Sequence, residues 1–449
     1  MEELAQSRDP QHSGAARREM LRTIFQETLD AIDVRKVLAR AVSCRQGVLR
    51  VTDLRYRLAD FDRVLVISIG KAGVPCAEIL LGALAGNEIS VEAIVVGPNE
   101  MGEFSCPIRR WQGSHPFPDA SAREAAQYIL TALKNTTARD LVLFLISGGA
   151  SAMLELPLDA TLTGEEIAAF YRALVNSGLT IAGMNTLRKH LSAVKGGRLA
   201  EAAADATKCT LLISDVREGR EDVIGSGPSL PDSSTREDCF ELMRRPELRD
   251  KVPDRVRSFL ESAELAETPK AGAACFARAD FRVLLSTETM LLAAANACRG
   301  RGFHVVINNM CDDWEYRAAA NYLLDRLRDL SAEYPRVALI SGGEVLVSVG
   351  ENAGIGGRNQ QFALYCATKL DTIPAQTAVL SAGSDGIDGS SPAAGAVVDS
   401  HMMSGAQQQI KEALDRFDSY PLLAQLGATI VTGPTGNNVR DLRILIAER

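Results

Sequence analysis

Val64-Leu65-Val66-Ile67-Ser68-Ile69, followed at once by Gly70-Lys71-Ala72-Gly73 and then by helical periodicity, is the stretch on which the fold is read. A short, near-continuous apolar run of β-branched residues suits a strand covered on both faces, and the glycines after it suit a tight turn into a helix. The same texture returns at Ala93 to Val96, Leu141 to Ile146 and Thr210 to Ile213. Buried strands alternating with amphipathic stretches predict a layered α/β architecture with a largely parallel sheet. A second series is predicted from Arg282 to Leu285 onward, through Phe303 to Ile307, Val337 to Ile340, Val345 to Val349, Thr377 to Leu380 and Leu442 to Ile446.

Before the first strand, Leu21, Ile24, Phe25, Leu29 and Ile32 recur at helical spacing, and a shorter helix is expected over Val34 to Val42. Between the two series, Arg236 to Asp280 is rich in charge and poor in strand signals, which reads as a helical connector. The chain therefore divides, on its sequence, into an α/β domain with its leading helices over 1–240, a connector over 241–280 and a second α/β domain over 281–449. A length of 449 residues is in keeping with more than one hydrophobic core.

Composition narrows the function classes. Apolar residues make up 46% and charged residues 24%, so disorder is excluded, and the net charge of −8 disfavours general binding to nucleic acid or anionic membrane. The most apolar short run, Leu141 to Ile146, is far too brief to cross a bilayer, and the polar first twenty residues do not read as a secretory signal. Nine scattered cysteines with no CxxC or Cys/His cluster point to free thiols in a reducing cytoplasm.

In open α/β sheets ligands bind beyond the carboxyl ends of the strands, and the informative polar residues fall there. Gly70 and Lys71 follow the first strand. Ser147-Gly148-Gly149 and Ser341-Gly342-Gly343-Glu344 are small turns rich in backbone donors, and Asp215 follows the strand ending near Ser214. Glu344 is placed to hold a metal-bound water. Gly354-Ile355-Gly356-Gly357 leads into Arg358, whose forked guanidinium matches phosphate oxygens. In Ser384-Asp385-Gly386-Ile387-Asp388-Gly389, Asp385 is read as a Mg²⁺ ligand or proton acceptor and Asp388 as a loop-shaping residue. The basic segment from Met184 to Arg198 is either a solvated helix face or, through groups such as Lys189, a holder of substrate carboxylate or phosphate. His115 reads as a loop histidine. There is no GxxxxGK[ST], HExxH or GxSxG, and Gly225-Ser226-Gly227-Pro228 lacks the third glycine of a dinucleotide fingerprint.

Taken in order, SIGKAG (68–73), GSHPFPDASA (113–122), ISGGASAML (146–154), MNTLRKHLSAVKGGRLA (184–200), ISDV…GSGP (213–228), ISGGE (340–344), GGRNQQFAL (356–364), AGSDGIDG (382–389), AAGAVVD (393–399) and GPTGNNVRDL (433–442) resemble the class II glycerate kinases. The resemblance runs from about Leu21 to the C-terminus. It implies two layered α/β domains with largely parallel sheets, the first Rossmann-like, the second a smaller MOFRL-type domain, and an active site in the cleft between them. It also implies a kinase that passes the γ-phosphoryl group of ATP to the 2-hydroxyl of D-glycerate, with Mg²⁺ or another divalent cation. Carried over by motif, the site comprises Lys71, Asp215, Glu344, Arg358, Asp385 and Asn438, the last added by resemblance alone. Gln361 and Asn437 depart from the family pattern, as does Glu218-Gly219-Arg220-Glu221. The expected partners are small molecules, with a homodimer left open. The alternatives are an NAD(P)-dependent hydroxypyruvate reductase and a non-catalytic sugar-acid or nucleotide sensor.

Overall fold

The structure is a computed structural model; it describes residues 10–98, 102, 104–114, 116–350, 352–402 and 406–449, with side chains from residue 14 onward. Two compact units are present. The first spans Val34–Leu284, and the second joins the leading helix, through Asp33, to Leu285–Arg449.

In the first unit a three-stranded antiparallel meander, β1 (Val42–Arg45), β2 (Val48–Val51) and β3 (Leu54–Arg57), precedes the main sheet. The main sheet contains β4 (Arg63–Ile69), β5 (Ser90–Gly97), β6 (Ile108–Gln112), β7 (Asp140–Ile146), β8 (Thr207–Ile213) and β9 (Ala279–Leu285), in the spatial order β6-β5-β4-β7-β8-β9. All pairs from β6 through β8 are parallel. Counted within the sheet, this is the 3-2-1-4-5-6 order of Rossmann folds, and it puts the topological switch point between β4 and β7. Both central strands are buried almost end to end, which is why their sequences read as unbroken apolar runs.

The second unit holds β10 (His304–Ile307), β11 (Arg336–Gly342), β12 (Gln376–Gly383), β13 (Gly395–Asp399), β14 (Thr429–Ile430) and β15 (Asp441–Glu448), ordered β10-β11-β15-β12-β13-β14. Only β10 and β11 pair in parallel. The last strand, β15, lies between β11 and β12 and runs antiparallel to both. The expectation of a second largely parallel sheet is thereby corrected to a mixed one. Strand direction was invisible in sequence because β15, like a parallel strand, is buried on both faces.

Other boundaries differ as well. The helix Pro10–Ala31 belongs to the second unit, where it packs on the helix Thr287–Arg299 and on β12 and β13. Its Leu21, Ile24, Phe25 and Leu29, with Ile32 just after it, are all buried, each such burial contributing about 1.5–3 kcal/mol, and this outweighs its sequence proximity to the first unit. Residues 241–280 do not form a free connector. Cys239, Met243, Leu248 and Val256 are buried with Phe170 and Leu187 in one core cluster of the first unit. Arg282 to Leu285 closes the edge of the first sheet rather than opening the second, and Val345 to Val349 is no strand, joining Glu315 only through an isolated bridge at Leu346.

Candidate active site

At the switch point of the first unit, the turns after β4 and β7 are bonded to each other. The Lys71 amide donates to the Gly148 carbonyl at 2.9 Å, and the Ala72 amide to Ser147 Oγ at 3.0 Å. Gly70 has φ +118°, and a Cβ there would stand 2.6 Å from the Ser147 carbonyl oxygen, so only glycine permits this approach. A Cβ on Gly148 would meet Asp215 Oδ2 at 2.5 Å, so the Asp215 carboxylate lies directly over that turn. Gly149, at φ +85°, starts the short helix Ala150–Met153. Lys71, Ser147, Gly148, Gly149 and Asp215 are thus assembled at one place, with Lys71 exposed.

Lys189 is not part of this assembly. Its side chain is 2% exposed, and its ammonium bonds Asp222 at 2.9 Å and Asp232 at 2.8 Å. The neighbouring basic residues also turn inward: His190 faces Glu267, and Lys195 bonds Glu155 at 2.8 Å beside the Tyr171 hydroxyl. Burial lowers the Lys195 pKa against the pull of Glu155. For Lys189 and Lys195, both readings of the segment, as a solvated face or as a substrate holder, give way to a buried ion-paired scaffold, since a charge taken out of water must find a partner. His115 lies outside the described residues.

The second unit gathers its candidates at one edge of its sheet. The carboxyl ends of β11 and β12 and the amino end of the antiparallel β15 coincide there, with Gly342 opposite Leu442 and Gly383 opposite Asp441. Arg358, the first residue of the helix Arg358–Ala367, is gripped by two carboxylates. Its Nε and Nη2 donate to Asp441 at 2.6 and 3.1 Å, and its Nη1 and Nη2 reach Glu344 at 2.9 Å each. Burial opposes the charge on Arg358, but Asp441 and Glu344 reverse this and raise its pKa above the ordinary value. Burial likewise raises the Glu344 carboxyl, with Arg358 pulling it back.

The turn Ser341-Gly342-Gly343 is less open than its sequence implied. Gly342 N–H donates to Asn309 Oδ1 and Glu344 N–H to Asp312 Oδ1, both at 3.0 Å. Arg443, fully buried, donates to the carbonyls of Gly342 and Gly343, and Ser341 is buried. Asp312 in turn holds Arg440 with two bonds, at 2.6 and 2.7 Å. Asp385 and Asn438 sit half-buried on loops knitted together beside this network: Thr435 N–H donates to the Asp385 carbonyl and Val439 N–H to Ser384 Oγ. Asp388 is buried and accepts from the amides and side chains of Asn359 and Gln360, anchoring the helix that begins at Arg358. Burial pushes its pKa up to about 6 despite those donors.

Asp441, Asp312, Arg440, Arg443 and Asn309 went unremarked in the sequence. Arg440 and Asp441 lie inside the quoted GPTGNNVRDL, so a signal was present without a partner to interpret it. Gln361 is buried and donates to the Leu414 carbonyl, which makes its departure from the family pattern a matter of packing. It also lines a cavity of about 820 Å³ with Tyr316, Arg317 and Arg416 that includes none of the candidate residues.

Among the described residues no three His, Cys, Asp or Glu side chains cluster in a way that would cage a metal. Mg²⁺ is commonly bound by one or two carboxylates together with substrate phosphates, a mode that needs no such cluster.

Residues 20–261 match a domain of unknown function, DUF4147, and residues 337–441 match the MOFRL family. The chain is 35% identical to the D-glycerate 2-kinase of Thermotoga maritima over 86% of its own length and 91% of that protein's. A protein of Agrobacterium vitis named as a putative hydroxypyruvate reductase is also 35% identical, over 90% of this chain and 95% of its own. The crystal structure of a glycerate kinase from Thermotoga maritima superposes with a TM-score of 0.81 at 31% identity, covering 96% of this chain and all of the other. With both domain matches in order and this likeness running nearly end to end, the chain belongs to the glycerate kinase family that carries a C-terminal MOFRL domain.

Proposed function

We propose that the protein is an ATP-dependent glycerate 2-kinase, converting D-glycerate and ATP to 2-phosphoglycerate and ADP with Mg²⁺ or another divalent cation. The observation that carries this reading is Arg358, a guanidinium oriented by paired carboxylates at a sheet edge rich in charge. Phosphoryl transfer asks for positioning and for neutralisation of spreading negative charge, with little covalent work by the protein. In this reading Lys71 and Arg358 stabilise the transferring group. The 2-hydroxyl oxygen forms the new O–P bond as the bond to ADP breaks, and Asp385 or, second in order, Glu344 accepts the hydroxyl proton. The metal, when bound, offsets phosphate charge; Asp385 and Glu344 are the residues that would hold it. Gly70, Ser147, Gly148, Gly149 and Asp215 serve with Lys71 in the first unit, and Ser341, Gly342, Gly343 and Asn438 serve with Arg358 in the second.

The reductase named among the relatives needs a nicotinamide site, and the first βα turn here is Gly70-Lys71-Ala72-Gly73 rather than GxGxxG. Gly225-Ser226-Gly227-Pro228 runs out of the end of the 3₁₀ turn Glu221–Ser226, with φ of +59° at Gly225 and +61° at Gly227, and no helix starts there: the next α-helix begins at Arg236. All nine cysteines are free thiols, and no described helix is long and apolar enough to cross a membrane; a cytoplasmic location is part of this reading. The deciding experiment incubates the protein with ATP, Mg²⁺ and D-glycerate and resolves 2- from 3-phosphoglycerate. Appearance of 3-phosphoglycerate would reassign the hydroxyl. Consumption of NAD(P)H with hydroxypyruvate and no phosphorylated product would reject the kinase.

A further inference from the structure

We infer that Asp441 is a positioning residue for Arg358, and that Glu344 occupies the guanidinium edge which the transferring phosphoryl group takes in its place. The inference rests on the reading that Arg358 holds that group. A guanidinium offers two forked edges to oxyanions. Asp441 holds the Nε–Nη2 edge and Glu344 the Nη1–Nη2 edge. The two carboxylates differ in how they are held. Asp441 is 2% exposed and opens β15, a strand bonded on both sides, opposite Gly383. Glu344 is 34% exposed and follows Gly343, which has φ +90°, on a loop with no strand beyond it. One carboxylate belongs to the framework; the other stands on the solvent side, where an anion approaches.

Asp441 therefore fixes the plane of the fork so that its outer edge faces the substrate, and Glu344 keeps that edge paired until phosphate replaces it. Phosphate oxygens match the same two N–H groups, so the exchange swaps one bidentate pair for another.

The test uses the full chain and tripolyphosphate as the probe, followed by calorimetry, together with steady-state turnover. Glu344→Gln is expected to bind tripolyphosphate about tenfold more tightly, because the outer edge is freed. Asp441→Asn is expected to bind it more weakly, because the loosened guanidinium swings onto Glu344, and to lose about 10²-fold in kcat with a smaller rise in the KM for ATP. A site that merely sums charge gains affinity from both substitutions. An affinity change of the same sign in the two variants, or wild-type kcat in Asp441→Asn, overturns the inference. If Asp441→Asn fails to fold, Asp441→Glu replaces it: the carboxylate is kept but its reach is longer, and a kcat loss with unchanged thermal stability supports positioning, whereas full activity overturns it. Arg358→Ala separates the two levels of argument, since unaltered turnover in that variant removes the role of Arg358 itself rather than the role of Asp441.

Discussion

The two Ser-Gly-Gly turns, 147–149 in the first unit and 341–343 in the second, share a tripeptide and a position after a buried strand, yet they are built into different sites. The first stands between parallel strands, so its neighbours are other strand-to-helix turns, and it accepts hydrogen bonds from the Gly70-Lys71-Ala72 turn at the Gly148 carbonyl and Ser147 Oγ. The second lies next to an antiparallel strand, so the start of β15 arrives at the same edge and brings Arg440, Asp441 and Arg443 with it. One turn frames a single exposed lysine. The other is pinned by Asn309, Asp312 and Arg443 and borders an arginine shared between carboxylates. Strand direction, more than the tripeptide, decides what such a turn can do.

The largest expected effect breaks the second turn's surroundings. Arg358→Ala should lower kcat by about 10³-fold or more, as loss of a transition-state arginine does. It should also cost about 2–4 kcal/mol of stability, because Asp441 is left buried without its cation. Activity assays with urea unfolding check both; near-normal turnover would end the comparison. In the first unit, Lys71→Ala should reduce kcat about 10²-fold with little change in Tm, since the side chain is exposed.

Lys189 sharpens the contrast between charges that serve a ligand and charges that serve the core. Lys189→Ala should destabilise by about 3–5 kcal/mol, because Asp232 is left buried and unpaired, while the KM for glycerate in the folded fraction stays unchanged. A raised KM with intact stability would return Lys189 to the binding residues. Gly70→Ala should cost about 2–3 kcal/mol, from the positive φ and the crowding against Ser147; an unaltered melting curve would show that the two turns do not need their close approach.

The smallest effect concerns pH. Asp388 has a folded pKa near 6, above the ordinary aspartate value, so the folded state binds its proton more tightly than the unfolded chain does. Its contribution to stability is then fully present below about pH 4 and is lost as pH rises through 6, by about 3 kcal/mol in all. The stability difference between the wild type and Asp388→Asn, measured by urea unfolding from pH 4 to 7, should shrink over that window and stay level above it. A pH-independent difference would mean that the four donors around the carboxylate, rather than its burial, control its proton.

Legibility in the sequence followed range. The turn at Gly70-Lys71 was readable because the strand, the glycines and the helix are neighbours in the chain. Arg358 was singled out as an anion-binding candidate by the glycines before it. Its partner Asp441 stands 83 residues away, and no spacing rule joins them. Lys189 misled because helical periodicity reports a face but not what covers that face, which here is Asp222, Asp232 and the helices after Arg236.

By itself, then, the sequence determined where the buried strands lie, which turns demand glycine, and an order of motifs that marks the family. These are consequences of local backbone sterics and of apolar patterning, which each segment carries on its own. Only the tertiary structure decided that β15 inserts antiparallel, that the leading helix docks on the second unit, and that Arg358 is shared between a buried and a solvent-facing carboxylate. A charge acquires its meaning from the groups that replace its water, and segments distant in the chain supply those groups.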